Sequence, residues 1–348
     1  MRLRRSDPSL PGIARRRHGA GFAYSAADGT AVRDPEVLDR VRALAVPPAW
    51  KDVWICPWPH GHLQAVGTDE AGRTQYLYHE VWRARRDREK FARATELGRC
   101  LPRLRDSLVE HLDHDGPLTQ SRVLATAVRL IDLGLFRVGS EQYLRANGSF
   151  GLTTALREHV TVDRDRITVS FLAKSGVEFT QEIQDPAVRR VVRALVQRDD
   201  PAEQLLGWWC DDDNRWKSVR SEHVNAYLRD LARKPLTVKD FRTWHATVLM
   251  ATTLAEESVP ASAAARRRVL AAAYGEVADQ LHNTMAVTRS SYVDPRVVDL
   301  WEGGVRLPRR RPGTTELVPV AASRAVARLL RGQASPATSR VRLRTRSL

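Results

Sequence analysis

The chain changes its pattern once, near residue 91, and that change limits the folds open to it. Before it, residues 19–24, 54–64 and 75–78 are short β-branched and aromatic segments, set apart by turns at 27–29, 59–61 and 69–72. One helical stretch, 35–44, lies among them. Residues 64–66 and 75–78 read as the two arms of a hairpin. After residue 91, apolar residues recur at helical spacing over 91–110, 119–134, 141–145 and 153–159. A single β interruption follows at 161–163, 166–172 and 176–181, with residues 173–176 as a hairpin turn. Helices then resume over 187–197, 222–232 and 261–281. Between the last two, Thr237 with Asp240 three residues on has the form of a helix cap, and an apolar stripe follows it. Residues 297–301 close the region. The pattern predicts an α+β chain: a small β-rich N-terminal domain over 19–90 and a mainly α-helical domain with a β-hairpin over 91–304. The charged run 83–90 reads as their connector. Residues 1–18 read as a basic arm, and 305–348 as a basic flexible tail with one helical stretch.

Composition narrows the partner more than the fold. At 348 residues, with 43% hydrophobic content and 9 tryptophans, the chain supplies real cores. A net charge of +15 and a pI near 10.5 favour a polyanionic partner, nucleic acid or an acidic membrane surface, although an arginine-rich proteome gives the same excess. No apolar run reaches membrane-spanning length, since Arg129 and Asp132 interrupt the longest. The arginine-rich start lacks an apolar segment, and Pro8 and Pro11 spoil a targeting helix. Three cysteines without paired spacing indicate neither disulfides nor structural zinc. Cys56, His60 and His62 read as loop residues, and the acidic cluster 210–214 as a solvated loop whose carboxylates diverge. No metal and no cofactor are expected.

The stretch 281–295 holds Tyr292 among small polar residues, nine positions after Asn283. A phenol is a weak nucleophile near neutral pH, so attack by it needs close placement and nearby cations. Arg137, Lys174 and Arg242 are the upstream candidates. Each also has an ordinary reading: a surface arginine, a solvated hairpin lysine, a tyrosine at a helix boundary. In the N-terminal region, Tyr76 and Tyr78 share one strand face and are flanked by Arg73, Gln75 and His79. That composition suits contacts to phosphates and base edges, or else the two rings pack inward as core.

In order, the candidates form one set: Arg137 in LFRVGSEQY, Lys174 in LAKSG, Lys239 and Arg242 in KDFRTW, Asn283 in LHNT and Tyr292 in RSSY. This set resembles the type IB DNA topoisomerases of the poxvirus and bacterial branch. The likeness covers most of residues 20–304, including VPPAWKDVWICP and QYLYH. It implies a two-domain clamp around double-stranded DNA, with Tyr292 as nucleophile and Arg137, Lys174, Arg242 and Asn283 as its catalytic partners. It further implies DNA contacts by Arg73, Gln75, Tyr76, Tyr78, Gly139, Tyr143 and Lys239. A monomer in the bacterial cytoplasm, working on the nucleoid without ATP or metal, follows from the same likeness. Two positions depart from the pattern: Asn283 replaces the viral histidine, and Ala173 stands where glycine is expected. An amide donates a hydrogen bond but gives up no proton, so Asn283 is expected to stabilise only, with the adjacent His282 structural. The rival readings are a tyrosine recombinase, which favours histidine at the place of Lys239, and a non-catalytic DNA-binding protein.

Overall fold

The computed structural model describes residues 1–112, 116–173, 176–309 and 316–331. The chain divides into two compact units, Met1–Glu89 and Lys90–Leu348.

In the first unit, β1 (Ile13–His18), β2 (Gly21–Ser25), α1 (Pro35–Ala43), β3 (Lys51–Ile55), β4 (Leu63–Thr68) and β5 (Thr74–Tyr78) follow in order. The strands form one antiparallel sheet in the order β2-β1-β3-β4-β5. Asp34 starts α1 by accepting from the Glu36 and Val37 amides, and Pro35 suits the first helical position. Val41 of α1 then packs on Ile13, Val53, Ile55 and Ala65. Strand alternation settles the orientation of β5. Leu77 packs against this core, while Tyr76 and Tyr78 point away from it, 49% and 40% exposed.

Residues 1–18 are not a free arm. β1 lies inside the sheet, and Arg4 pairs with the chain through Arg4 N to His60 O at 2.8 Å and His62 N to Arg4 O at 2.9 Å. Arg15 is buried, its guanidinium donating to the carbonyls of Val46, Pro47 and Trp50. Reading arginines as solvated hid this strand, because a guanidinium can be buried when carbonyls take its protons.

The division between units falls within α2 (Glu80–Leu112), so the run expected as a connector is helical, with Arg85 and Arg86 both paired to Glu89. Next come α3 (Gln120–Gly134), α4 (Glu141–Asn147), the sheet β6 (Val160–Val162), β7 (Ile167–Ala173) and β8 (Val177–Ile183), and α5 (Pro186–Gln197). Residues 153–159 hold two short 3₁₀ turns rather than the expected helix. A second hairpin, β9 (Gly207–Cys210) and β10 (Arg215–Ser218), escaped the sequence reading, and the acidic cluster is its turn. Among the described residues no group of three or more His, Cys, Asp or Glu is placed to hold a metal ion, and no helix is long and apolar enough to cross a membrane.

The remaining helices are α6 (Ser221–Ala232), α7 (Val238–Leu254), α8 (Ala263–Gln280), the single turn α9 (Met285–Val287), α10 (Pro295–Glu302) and α11 (Val320–Arg331). α7 is the axis of this unit. Asp240 ties down its start by accepting from Thr237 N at 2.8 Å and Thr237 Oγ1 at 3.0 Å, and Phe241, Trp244 and Met250 are wholly buried. Trp244 leaves no room on α2 for a side chain at Gly98, where a Cβ would sit 2.1 Å from its ring. Asp132 of α3 lies 2.7 Å from Arg105 of α2, 2.8 Å from Arg129 and 3.1 Å from His245 of α7. Those partners offset the burial of its charge and hold the carboxyl well below the usual carboxylate range. Residues 316–331, expected in a flexible tail, are folded. Ala322, Val326 and Leu330 form a buried stripe at helical spacing, and Ser323 Oγ accepts from Trp244 Nε1 at 2.9 Å. The helix was expected there, but not its packing into the core. The rest of the expected tail, 310–315 and 332–348, lies outside the described residues.

Candidate active site

Four of the five predicted catalytic residues come together at the ends of helices in the second unit. Arg242 sits in the first turn of α7 and is 4% exposed. Its guanidinium donates to Leu135 O, just past α3, and at 2.6 Å to Leu281 O, just past α8. Both carbonyls lie where a helix leaves acceptors unpaired and its dipole favours a cation. Burial, and the charge of Arg137, push the Arg242 guanidinium down to about 10, while Tyr292 opposes the shift. Arg242 is therefore still cationic at neutral pH. Its Cζ stands 5.4 Å from the centre of the Tyr292 ring. Two donors of its five are engaged by carbonyls, and its buried Nε has no acceptor among the described residues.

Arg137 follows α3 in a segment pressed against residues 151–153. Leu152 N donates to Arg137 O at 2.9 Å, and Thr153 N to Val138 O at 2.7 Å. Gly139 makes this approach feasible. Its φ is +83°, and a Cβ on the facing Gly151 would lie 2.5 Å from the Gly139 Cα. The geometry gives Gly139 a part in placing Arg137. The Arg137 guanidinium in turn donates to Asn283 Oδ1 at 2.6 Å and approaches His282 O at 3.4 Å. That bond orients the amide, leaving the buried Asn283 Nδ2 without a protein acceptor among the described residues.

His282 takes a left-handed backbone, φ 47°, and its ring packs 4.6 Å from that of Phe179. Burial and the charges of Arg242 and Arg137 hold its pKa below the ordinary histidine value. It is neutral near pH 7 and turned toward Phe179, as a structural residue would be.

Tyr292 ends a π-helical turn over Thr288–Tyr292. The turn is tied on two sides. Thr247 Oγ1 of α7 lies 3.4 Å from Tyr292 O and accepts from Asp294 N at 3.1 Å. Asp294 caps α10 and pairs with Arg296, which also donates to Leu330 O of α11 at 3.1 Å. Sequence reasoning missed Thr247 and Arg296. One threonine in an apolar helix gives no signal in the sequence.

Lys174 lies outside the described residues; the strands beside it pair through Ala173 and Val177. Lys239 is exposed on the first turn of α7, beside a groove of about 420 Å³ lined in part by Val138, Asn225 and Thr237. Tyr143 stands on α4, 37% exposed. In the first unit, the Tyr76 and Tyr78 rings stack at 6.2 Å. Alternation puts Gln75 on the other side of the strand from them, with its amide donating to Asp69 Oδ2 at 2.8 Å. Arg73 pairs with the same carboxylate at 2.9 Å, and the bonds from Arg73 and Gln75 hold the Asp69 carboxyl down to about 2.

A partly buried tyrosine faced by two arginines and an amide agrees with what known proteins show. The family described as eukaryotic DNA topoisomerase I, catalytic core, matches residues 79–298, and bacterial DNA topoisomerase IB, N-terminal domain, matches residues 21–69. The chain belongs to the type IB DNA topoisomerase family. Within it, DNA topoisomerase 1B of Acanthamoeba polyphaga mimivirus is 28% identical over 298 residues, covering 84% of this chain and 88% of the relative. DNA topoisomerase 1 of Candidozyma auris is 28% identical over 47% of this chain and 21% of its own length. DNA topoisomerase 1 of Schizosaccharomyces pombe is 23% identical over 72% of this chain and 29% of its own length. The match thus covers most of the viral relative but only part of the fungal ones.

Proposed function

We propose that this topoisomerase relaxes DNA supercoils of either sign through a covalent link to Tyr292, acting as a monomer in the bacterial cytoplasm and needing neither ATP nor a metal ion. The observation that carries the reading is the convergence of Arg137, Arg242 and Asn283 with Tyr292, with the buried Arg242 Nε and Asn283 Nδ2 meeting no acceptor among the described residues. Such donors suit the oxygens of a phosphodiester, whose charge rises in the pentacoordinate transition state.

In this mechanism the Tyr292 phenol gives up its proton to solvent water as its oxygen attacks the phosphorus, and the bond to the 5′ oxygen breaks. Lys174 gives its proton to that oxygen, a step for which a titratable ammonium suits better than a guanidinium. The 3′ phosphate is then held on Tyr292 while the free strand swivels. Attack by the 5′ hydroxyl reverses the exchange. One phosphoester replaces another, so bond energy is retained throughout. Arg242 serves as a buried cationic anchor beside Tyr292, and Asn283 Nδ2 as a neutral donor. Tyr76, Tyr78, Tyr143 and Lys239 would contact the duplex, with Arg73 and Gln75 supporting that grip from Asp69.

Negatively supercoiled plasmid, incubated with the enzyme in EDTA without ATP and stopped with SDS, tests the reading. The wild type should relax the plasmid and leave a protein-DNA adduct; Tyr292→Phe should do neither while still binding DNA. Relaxation by Tyr292→Phe would sink the assignment of the nucleophile.

A further inference from the structure

A groove on the second unit carries a charge pattern that the proposed chemistry does not use. It holds about 840 Å³ and is walled by α2, the end of α6 and α11. Arg99 and Arg103 line it from α2, one helical turn apart. Arg233 and Lys234 stand at the end of α6. From α11 come Arg324, Arg328 and Arg331, again on one face. Against these cations, Glu96 is the one carboxylate among the described lining residues, paired with Arg99 at 3.1 Å and Lys234 at 3.2 Å.

Two features set this groove apart from an ordinary solvated surface. Like charges one turn apart destabilise a helix, and elsewhere on α2 the protein avoids this by pairing Arg85 and Arg86 with Glu89. On α11 there is no acid at all. The second feature is Arg233, which closes α6 in the left-handed conformation, φ 51°, where glycine is the usual and less strained choice. That turn sets the Arg233 guanidinium at the groove's edge.

We propose that the groove binds a compact polyphosphate: an inorganic phosphate chain, or the phosphates of a nucleoside polyphosphate. Guanidiniums projecting from separate helices suit the oxygens of consecutive phosphates, which a bidentate fork matches. The volume lies within the rough 300–1,000 Å³ of small-ligand sites. A duplex presents its phosphates on a convex rod, which meets the rim of such a concavity rather than its floor. None of the groove's residues belongs to the cluster of Arg137, Arg242, Asn283 and Tyr292, so this inference does not depend on the proposed chemistry.

The test is calorimetric titration of the full chain with tripolyphosphate, ATP and orthophosphate. Tripolyphosphate should bind at one equivalent and far more tightly than orthophosphate. Replacing Arg103 and Arg328 together by glutamine should weaken it about a hundredfold, taking each charged contact as about tenfold. Glu96→Gln, which frees Arg99 and Lys234, should tighten it, and this variant keeps the test open if the double variant folds poorly. ATP binding as tightly as tripolyphosphate would point to a nucleoside polyphosphate, and weaker binding to an inorganic chain. Equal binding by wild type and both variants would overturn the proposal. So would stoichiometric displacement of a labelled short duplex by tripolyphosphate, which would place the anion on the DNA-binding surface instead.

Discussion

The stacked tyrosines of the first unit and the tyrosine turn of the second use phenols in opposite ways. Tyr76 and Tyr78 are exposed on the outer face of an edge strand, beside polar groups held by a surface carboxylate. Tyr292 is partly buried and tied through its backbone to α7, with a guanidinium near its ring. An exposed face gains affinity by many small, screened contacts, so each is individually dispensable. A buried cluster is preorganised, and removing one member leaves the others unpaired in a medium that does not screen them. The contrast predicts that substitutions in the second unit act on rate, and those in the first on affinity.

The largest effect is expected at Tyr292, where Phe removes the attacking oxygen and should abolish the covalent adduct outright. Next are the arginines. Arg137→Ala and Arg242→Ala should each slow single-turnover cleavage by about 10²–10³ with little change in duplex affinity. Arg242→Ala should also lower the melting temperature, because Leu135 O and Leu281 O lose their donor. A loss of affinity matching the loss of rate would break the contrast. Asn283→Ala should cost about tenfold in cleavage, one neutral donor to a charged oxygen. His282→Gln should be near neutral on rate, since the ring packs on Phe179 and is uncharged.

These two regions also differ in how far the sequence revealed them. Tyr292, Arg137, Arg242 and Asn283 were legible as candidates because their order along the chain resembles a known set, although they are scattered from residue 137 to residue 292. Their geometry was not legible. The two terminal nitrogens of Arg242 bond helix-end carbonyls rather than standing free as a phosphate fork, and no local pattern announces that. Periodicity gave most helices and the hairpin of β7 and β8. It failed for β1, where arginines hid a strand that the fold buries, and for β9 and β10, whose four-residue strands are too short for alternation to register; for α11 it gave the helix but not its burial. The facing of β5 needed the structure as well, because a strand with alternating tyrosines reads equally well turned in or out.

The first unit should respond more gently. Tyr76→Ala and Tyr78→Ala should each weaken duplex binding by about threefold to thirtyfold while the bound complex cleaves at the normal rate. A single-turnover rate measured at saturating enzyme separates the two effects. If either substitution slowed cleavage in the saturated complex, the first unit would be acting on chemistry and the contrast would fail.

The smallest effect is expected at Arg73. Each phosphate neutralised by a free cation adds about 0.9 to the slope of log affinity against log salt. Arg73 is not free: Asp69 holds it at 2.9 Å, and that carboxylate stays ionised down to about pH 2. The sign follows from the depressed value: the pairing is fully present above the ordinary aspartate range and fades only as pH falls toward about 2. Across pH 5 to 8 the pair therefore presents little net charge to a phosphate. Arg73→Ala should lower the salt slope by clearly less than about 0.9, and Asp69→Asn should raise it, by releasing the guanidinium. A full drop of about 0.9 in Arg73→Ala would mean that the arginine leaves Asp69 for DNA, and that the carboxylate is a resting place rather than a permanent partner.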